Sequence, residues 1–443
     1  MTARKETQPA TVPFAATPAG TPTSVVDWAN RCVWTDRMLT TLQSGVRGGR
    51  WHTLSDKMFA PLNLFAASES VLGNQGAAGV DHQSVADFEA HRSEELRRLE
   101  EALRTDTYRP QAIRRVWIPK PGSPEKRPLG IPTVRDRVVQ TAMLHVLEPI
   151  FDVTFAAHSY GFRHGRGCHH ALERVETLLA DGYVYVVDAD LKSYFDTIPQ
   201  DRLMERIGEK VSDSRVLRWL ELFLQQGVLD GLTEWTPETG TPQGAVLSPL
   251  LANIYLNPLD HLLAEAGFAM VRYADDFVIL CRSREDADRA LELVRGWVET
   301  NGLTLHPTKT KIVDARTDGF DFLGYTFRGV LRLPRDKSLS KLKDTVRAKT
   351  RRTSGDSMPY LCASLTKTLR GWFTYFRHCH WNVFSGLDGW IRMRLRSILR
   401  KRAGRRGRGR GTDHQRWPNR YFAEHGLYSL VTAHVRYSQS PLG

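Results

Sequence analysis

The sequence predicts an α+β chain, with a mainly antiparallel sheet and helices in its first three quarters and a basic, α-helical last quarter. Three observations carry this expectation. Short apolar β-rich runs mix with helical patterns from Tyr108 to Arg328, without regular βαβ alternation. Hydrophobic residues make up 41% of the 443, which is enough for a sizeable core and too many for wholesale disorder. The charge is also unevenly distributed. Residues 329–443 hold 25 Lys/Arg against 6 Asp/Glu, whereas residues 1–328 hold 37 against 43. The formal net charge of +13 therefore belongs to the last quarter, which reads as a polyanion-binding region on a near-neutral body. At ~150 residues per domain, the length suggests about three domains or subdomains.

Residues 1–25 are rich in Pro, Thr and Ala, lack periodicity and are expected to be a disordered leader. Residues 26–105 form an N-terminal helical extension. Within it, SVADFEAHRSEELRRLEEALRT (84–105) reads as a helix capped by Ser84, with Phe88, Leu96, Leu99 and Leu103 at helical spacing. Residues 106–328 are the mixed core. VYVVDADL (184–191) is a buried strand ending in carboxylates, and FAMVRYADDFVILC (268–281) is a hairpin with Asp275 and Asp276 at its turn. FDFLGYTF (320–327) reads as one further strand, and from about Leu331 the chain turns helical and basic. The domain division expected is thus 1–25, 26–105, 106–328 and 329–443.

Cys32, Cys168, Cys281, Cys362 and Cys379 form no C-x-x-C pair, and their number is odd. That argues against a disulfide framework or a zinc ribbon and suits a reducing cytosol. No apolar run approaches the ~18 residues of a membrane span. The first residues, MTARKETQPA, lack the apolar core of a signal peptide. A cytoplasmic chain without a membrane partner is expected.

Asp190 closes one apolar strand, and Asp275 and Asp276 sit between Tyr273-Ala274 and Phe277-Val278-Ile279-Leu280. Adjacent carboxylates flanked by apolar strands repel one another and resist burial unless a cation offsets them. A hard divalent ion with oxygen ligands meets that need. Two such ions clamping the attacking and leaving oxygens are the usual arrangement for in-line nucleotidyl transfer.

YADD at 273–276 resembles the YxDD box of reverse transcriptases. The resemblance extends in order through RPLGIPTVRDRVVQ (127–140), HSYGFRHGRG (158–167), VVDADLKSYFDTI (186–198), GTPQGAVLSPLLANIYL (240–256), LTLHPTKTKI (303–312) and FDFLGYTF (320–327). These runs are similar to the successive blocks of group II intron reverse transcriptase/maturases. GNQGAAGVD (73–81) resembles that family's extra N-terminal block. LRGWFTYFR (369–377) and WPNRYFAEHGLYSL (417–430) resemble its thumb and maturase region.

The resemblance implies a right-hand polymerase of fingers and palm, followed by a helical thumb and maturase domain. It implies that Asp190, Asp275 and Asp276 hold two Mg²⁺ ions, with Mn²⁺ as a possible substitute. A primer 3′-OH would attack the α-phosphate of a dNTP. Phe195 matches the aromatic gate that excludes a 2′-OH, a sensible sieve because the ring would clash with the hydroxyl and leave it unpartnered. Gln243 matches the residue lying along the incoming nucleotide, and Gly240 and Gly244 would permit close backbone approach. Lys120 and Arg127 match the finger residues that hold the triphosphate, and Lys309 one that orients the site near the priming end. Asp196 reads as structural rather than as a metal ligand. His164, His169 and His170 around Cys168 read as structural or RNA-contacting, since no second cluster completes a metal site.

Residues 392–410 hold ten Lys/Arg and no acid: Arg392, Arg394, Arg396, Arg400, Lys401, Arg402, Arg405, Arg406, Arg408 and Arg410. Aromatic sequences flank them, and arginines interleaved with aromatics suit RNA. The first half reads as a thumb helix with one apolar face, and RRGRGRG as flexible until RNA orders it. The implied partners are group II intron RNA, an RNA template with a DNA primer, target DNA and dNTPs; the oligomeric state is not legible. A CRISPR-associated or retron-like reverse transcriptase shares the chemistry, although no VTG element follows the palm. A splicing maturase with little polymerase activity stays open as well. No cysteine pair follows Cys379, so no endonuclease domain is expected and any mobility would borrow a primer.

Overall fold

Ser84 caps a helix as its position demands. Its hydroxyl accepts from Asp87 N at 3.1 Å, and the Asp87 carboxylate accepts from Ser84 N at 3.0 Å. The single helix expected over 84–105 is instead two, Val85–Ala90 and Arg92–Arg104, parted at His91. Phe88, Leu99 and Leu103 are fully buried on either side of the break. The computed structural model describes residues 28–46, 48–119, 126–329 and 331–439, so the leader over 1–25 and Lys120 lie outside the described residues.

Among the described residues the strands run β1 (Ile113–Pro119), β2 (Lys126–Ile131), β3 (Tyr185–Asp190), β4 (Val228–Asp230), β5 (Thr233–Trp235), β6 (Ala269–Tyr273), β7 (Asp276–Cys281), β8 (Lys311–Asp314), β9 (Phe320–Phe322), β10 (Tyr325–Arg328) and β11 (Leu331–Pro334). They form three sheets, ordered β2-β1-β4-β5, β6-β7-β3-β8 and β11-β10-β9. The pairing is mainly antiparallel, with β1 and β4 parallel. The chain divides into two compact units, residues 1–178 with 185–312, and residues 179–184 with 313–443.

In the first unit, β3 and β7 bury Val187, Ala189, Phe277 and Ile279 in the same core as Leu259 and Leu263 of helix Ser248–Glu265 and Val294 of helix Arg284–Thr300. β7 is apolar from Phe277 to Cys281, whereas β3 carries the part-exposed Asp188 between Val187 and Ala189; Asp190 and Asp276 stand together at the end where the two strands reach the hairpin tip.

In the second unit, FDFLGYTF is not one strand but the β9–β10 hairpin. Leu323 and Gly324 take φ of 48° and 78°, the left-handed pair that a two-residue primed turn requires. An apolar run can fold back this way because its turn needs only one Gly, which hid the hairpin from pattern reading. Phe320 and Phe327 stack at 5.1 Å across it. The helical part starts at Asp336, after β11, and runs through Asp336–Lys349, Met358–Phe376, Trp381–Arg402 and Leu430–Ser438. All five cysteines are free thiols. Among the described residues no helix is long and apolar enough to cross a membrane.

Candidate active site

Pairing of β3 with β7 sets Asp190 directly opposite Asp276. Tyr273 pairs with Asp276 across β6 and β7, so the hairpin tip is only Ala274 and Asp275. Ala274 sits at φ 59°, where a two-residue turn of this kind favours glycine and another residue costs about 1–3 kcal/mol. Its surroundings hold it there. Arg272 Nη1 donates to Ala274 O at 2.9 Å and to Asn253 Oδ1 at 2.8 Å, and Asn253 Nδ2 donates to Gly161 O at 2.8 Å. A Cβ on Gly161 would lie 2.4 Å from Ala274 N, so only glycine fits against the tip. Arg272 is clamped in turn by Asp260, at 2.7 and 2.5 Å, with both side chains wholly buried. Arg163 locks the loop that carries Gly161, donating to Asp152 Oδ1, Ala156 O and Ser159 O.

Burial pushes the Asp275 carboxyl above its usual range, and the nearby Asp190 charge adds to the rise. Lys309 Nζ donates to Asp190 Oδ2 at 2.7 Å, so an ammonium already lies against the strand-end carboxylate. Among the described residues no group of three acidic, His or Cys side chains is gathered closely enough to hold a metal by itself. The oxygen-only donors and the resistance of Asp275 to ionisation still fit a hard divalent cation drawn into this corner.

Five residues after Asp190 in the chain, Phe195 packs edge-on to Tyr194, with 5.6 Å between ring centres. Thr241 N donates to Phe195 O at 2.7 Å, and a Cβ on Gly240 would meet that same oxygen at 2.6 Å. Gly130 N donates to Gln243 O at 2.6 Å, and Gly244 presses on Gly130 O at φ 103°. Both glycines therefore sit where another stretch of the protein's own backbone comes too close for a Cβ. Gln243 Nε2 donates to Asp196 Oδ1 and Oδ2 at 3.1 and 3.0 Å. The two side chains line a cavity of about 460 Å³ with Arg115 and Trp235. Arg127 pairs with Ile118 and Arg115 with Gly130, so strand alternation puts the two arginines on opposite faces. The structure brings Asp190, Asp275, Asp276, Lys309, Phe195 and Gln243 onto connected elements of one unit, and leaves Arg127 on the face away from the cavity.

Residues 118–327 match the reverse transcriptase (RNA-dependent DNA polymerase) family, and residues 339–417 match the group II intron, maturase-specific domain. Protein YkfC of Escherichia coli is 37% identical over 304 residues, which cover 59% of this chain and 79% of YkfC. The chain belongs to the group II intron-encoded reverse transcriptase/maturase family. Another relative is the group II intron-encoded protein LtrA of Lactococcus lactis, 36% identical over 210 residues. That match covers 47% of this chain and 34% of LtrA, so the chain spans about a third of that relative's length. A partial Cas6-RT-Cas1–Cas2 complex contains a chain 26% identical over 56% of this one and 42% of its own length, with a TM-score of 0.37.

For a reverse transcriptase/maturase of this family, the basic segment needs one correction. Arg396, expected among the RNA contacts, is 2% exposed, and its guanidinium donates to Trp417 O at 2.9 Å and Asn419 Oδ1 at 2.8 Å. It holds the second unit together, because a buried guanidinium has to spend its donors inside the fold. Arg394 donates to Thr350 Oγ1, Arg392 lies 3.6 Å from Asp388, and Arg400 bonds Asp413 at 2.7 Å. Lys401, Arg402, Arg405, Arg406, Arg408 and Arg410 are exposed. The RRGRGRG stretch is anchored through Gly409 N to Ser397 Oγ and Arg410 N to Asp413.

Pattern reading also missed Arg272, Asp260, Asn253 and Arg163. One signal was present: Arg272 is the lone charge in FAMVRY, and a charge within a buried strand needs a partner.

Proposed function

We propose that the chain is an RNA-directed DNA polymerase that copies group II intron RNA into cDNA and assists splicing and mobility of that intron. The observation carrying this reading is the cross-strand pair Asp190–Asp276 with Asp275 at the adjoining two-residue tip. Asp190, Asp275 and Asp276 would hold the metal. Two Mg²⁺ ions, or Mn²⁺ in their place, would supply the charge that stabilises the attacking and leaving oxygens of a primer 3′-OH and a dNTP. The chain's own residues would do the rest. Lys309 would balance Asp190, Phe195 and Gln243 would flank the sugar, and Lys120 would take the triphosphate, joined by Arg127 only if the nucleotide lies on the face of β2 opposite the Asp196–Gln243 cavity. An RNA template with a DNA primer, intron RNA and target DNA would be the partners, in a bacterial cytosol or nucleoid. The test is extension of a DNA primer on an RNA template with dNTPs and Mg²⁺, run beside intron RNA binding. A purified chain that does neither overturns the reading.

Sugar choice gives a sharper expectation. Phe195→Ala opens the 2′ position and is expected to raise ribonucleotide incorporation by about tenfold or more relative to dNTPs. Primer extension with rNTPs alone measures it, and unchanged discrimination removes Phe195 from the gate.

The match to the maturase-specific domain supports the RNA-binding half of the reading. Replacing the six exposed residues Lys401, Arg402, Arg405, Arg406, Arg408 and Arg410 with Gln should weaken intron RNA binding. The log–log salt slope should flatten by ~0.7 to 0.9 for each phosphate that is no longer neutralised, up to roughly 4 to 5 if all six touch RNA. Because phosphate contacts position without specifying, the weakening should be nearly uniform across RNA sequences. Affinities measured from about 50 to about 500 mM salt check this, and coincident slopes would mark the segment as a solvated tail.

A further inference from the structure

Asp196 follows the candidate gate residue, and neither metal binding nor triphosphate binding uses it. Its contacts are specific. Both carboxylate oxygens accept from one atom, Gln243 Nε2. A carboxylate can only accept, so the NH₂ edge of the amide must face Asp196. The carbonyl Oε1 of Gln243 is then turned to the opposite side. An amide without such a partner presents either edge with nearly equal ease, since its two ends differ only in hydrogen bonding.

The backbone leaves this pair little freedom. Thr241 N bonds Phe195 O, and Thr239 Oγ1 donates to Asp196 O at 3.0 Å. Gly130 N bonds Gln243 O, while Gly240 packs on the Phe195 and Asp196 backbone, where a Cβ would come within 2.8 Å of it. Phe195, Asp196 and Gln243 therefore move as one stitched element.

We propose that Asp196 is a positioning residue that fixes the Gln243 amide with Oε1 outward, so that the site accepts a hydrogen bond from the 3′-OH of an incoming nucleotide. The inference rests on the polymerase reading above. With the 2′ position closed by Phe195, the 3′-OH is the one donor left on a deoxyribose. An acceptor fixed in advance suits it, whereas the NH₂ edge would set donor against donor in one of the hydroxyl's rotamers. Discrimination against a 3′-deoxy chain terminator follows, because a nucleotide lacking that hydroxyl leaves Oε1 unpaired.

The test compares single-nucleotide incorporation of a dNTP and the matching ddNTP by the full chain, on an RNA template with a DNA primer. Four proteins are measured: wild type, Asp196→Asn, Gln243→Leu and the double variant. Asn keeps the shape but can donate, which releases the amide. In Asp196→Asn, the ratio of kcat/KM for dNTP over ddNTP should fall by roughly 3- to 10-fold. The loss should appear in KM for the dNTP, with the ddNTP values little changed. Gln243→Leu should fall at least as far, and the double variant no further than Gln243→Leu, because Asp196 acts through the amide. Each ratio is internal to one protein, so a partly misfolded preparation does not distort it. An unchanged ratio in Asp196→Asn, an equal loss for both nucleotides, or additive effects in the double variant overturns the proposal. A wild-type chain that extends no primer overturns the parent reading and this inference with it. Extension with an unchanged ratio overturns this inference alone.

Discussion

Replacing Asp275 and Asp276 together with Ala is expected to lower RNA-templated DNA synthesis by a factor on the order of 10³ or more. That corresponds to losing several kcal/mol of charge stabilisation at the transferring phosphate. The hairpin should survive, because Ala274 O keeps its bond from Arg272 and the β6–β7 register lies on the apolar side chains. Stability should hold or rise slightly. Burial raises the Asp275 carboxyl, so its ionised form at neutral pH opposes folding, and removing it removes that opposition. Intron RNA affinity should be unchanged, since the exposed basic residues 401–410 belong to the other unit and are untouched. Primer extension, a thermal melt and filter binding on the same preparation check all three. Polymerisation near the wild-type level would place the active site elsewhere.

Asp260→Ala should destabilise the first unit by ~3–5 kcal/mol. It strips the partner from an Arg272 guanidinium that has no exposure to water, so the charge would be left buried and uncompensated. Urea unfolding followed by Trp fluorescence measures the loss, and a change under about 1 kcal/mol would contradict it. Replacing both partners with apolar residues, Arg272→Met with Asp260→Leu, should recover most of the stability because no charge remains buried. Polymerase activity should not return in that double variant. Ala274 O and Asn253 Oδ1 would still lack the donor that holds the strained tip under Asp275. Separation of stability from activity in this pair is the signature of a positioning network rather than of core packing alone.

Much of the site was legible in the chain itself. Apolar runs that end in acids announce strands whose last residue must face water or a cation, and this is how Asp190, Asp275 and Asp276 could be named from their neighbours. Gly240 and Gly244 were legible for a similar reason, as small residues in a turn-rich block. The FDFLGYTF hairpin was not, because an apolar run of eight gives the same pattern whether it runs straight or turns at a left-handed Leu-Gly pair. Nor was the fate of Arg396. A basic run has one sign everywhere, and only packing decides which guanidinium is turned inward to Trp417 and Asn419.

The sequence by itself thus determined the class of fold and the family resemblance, and it singled out three carboxylates as candidates, all from local pattern and residue chemistry. Only the tertiary structure decided what holds them in place. Asn253 and Asp260 of helix Ser248–Glu265 come together with Gly161 and Arg272 around Ala274, and Asp196 meets Gln243 across 47 positions of chain. The physical reason is that hydrogen bonds to a buried charge or an oriented amide are set by distances of about 3 Å in space. Neither periodicity nor spacing along the chain encodes which distant segments will be brought that close.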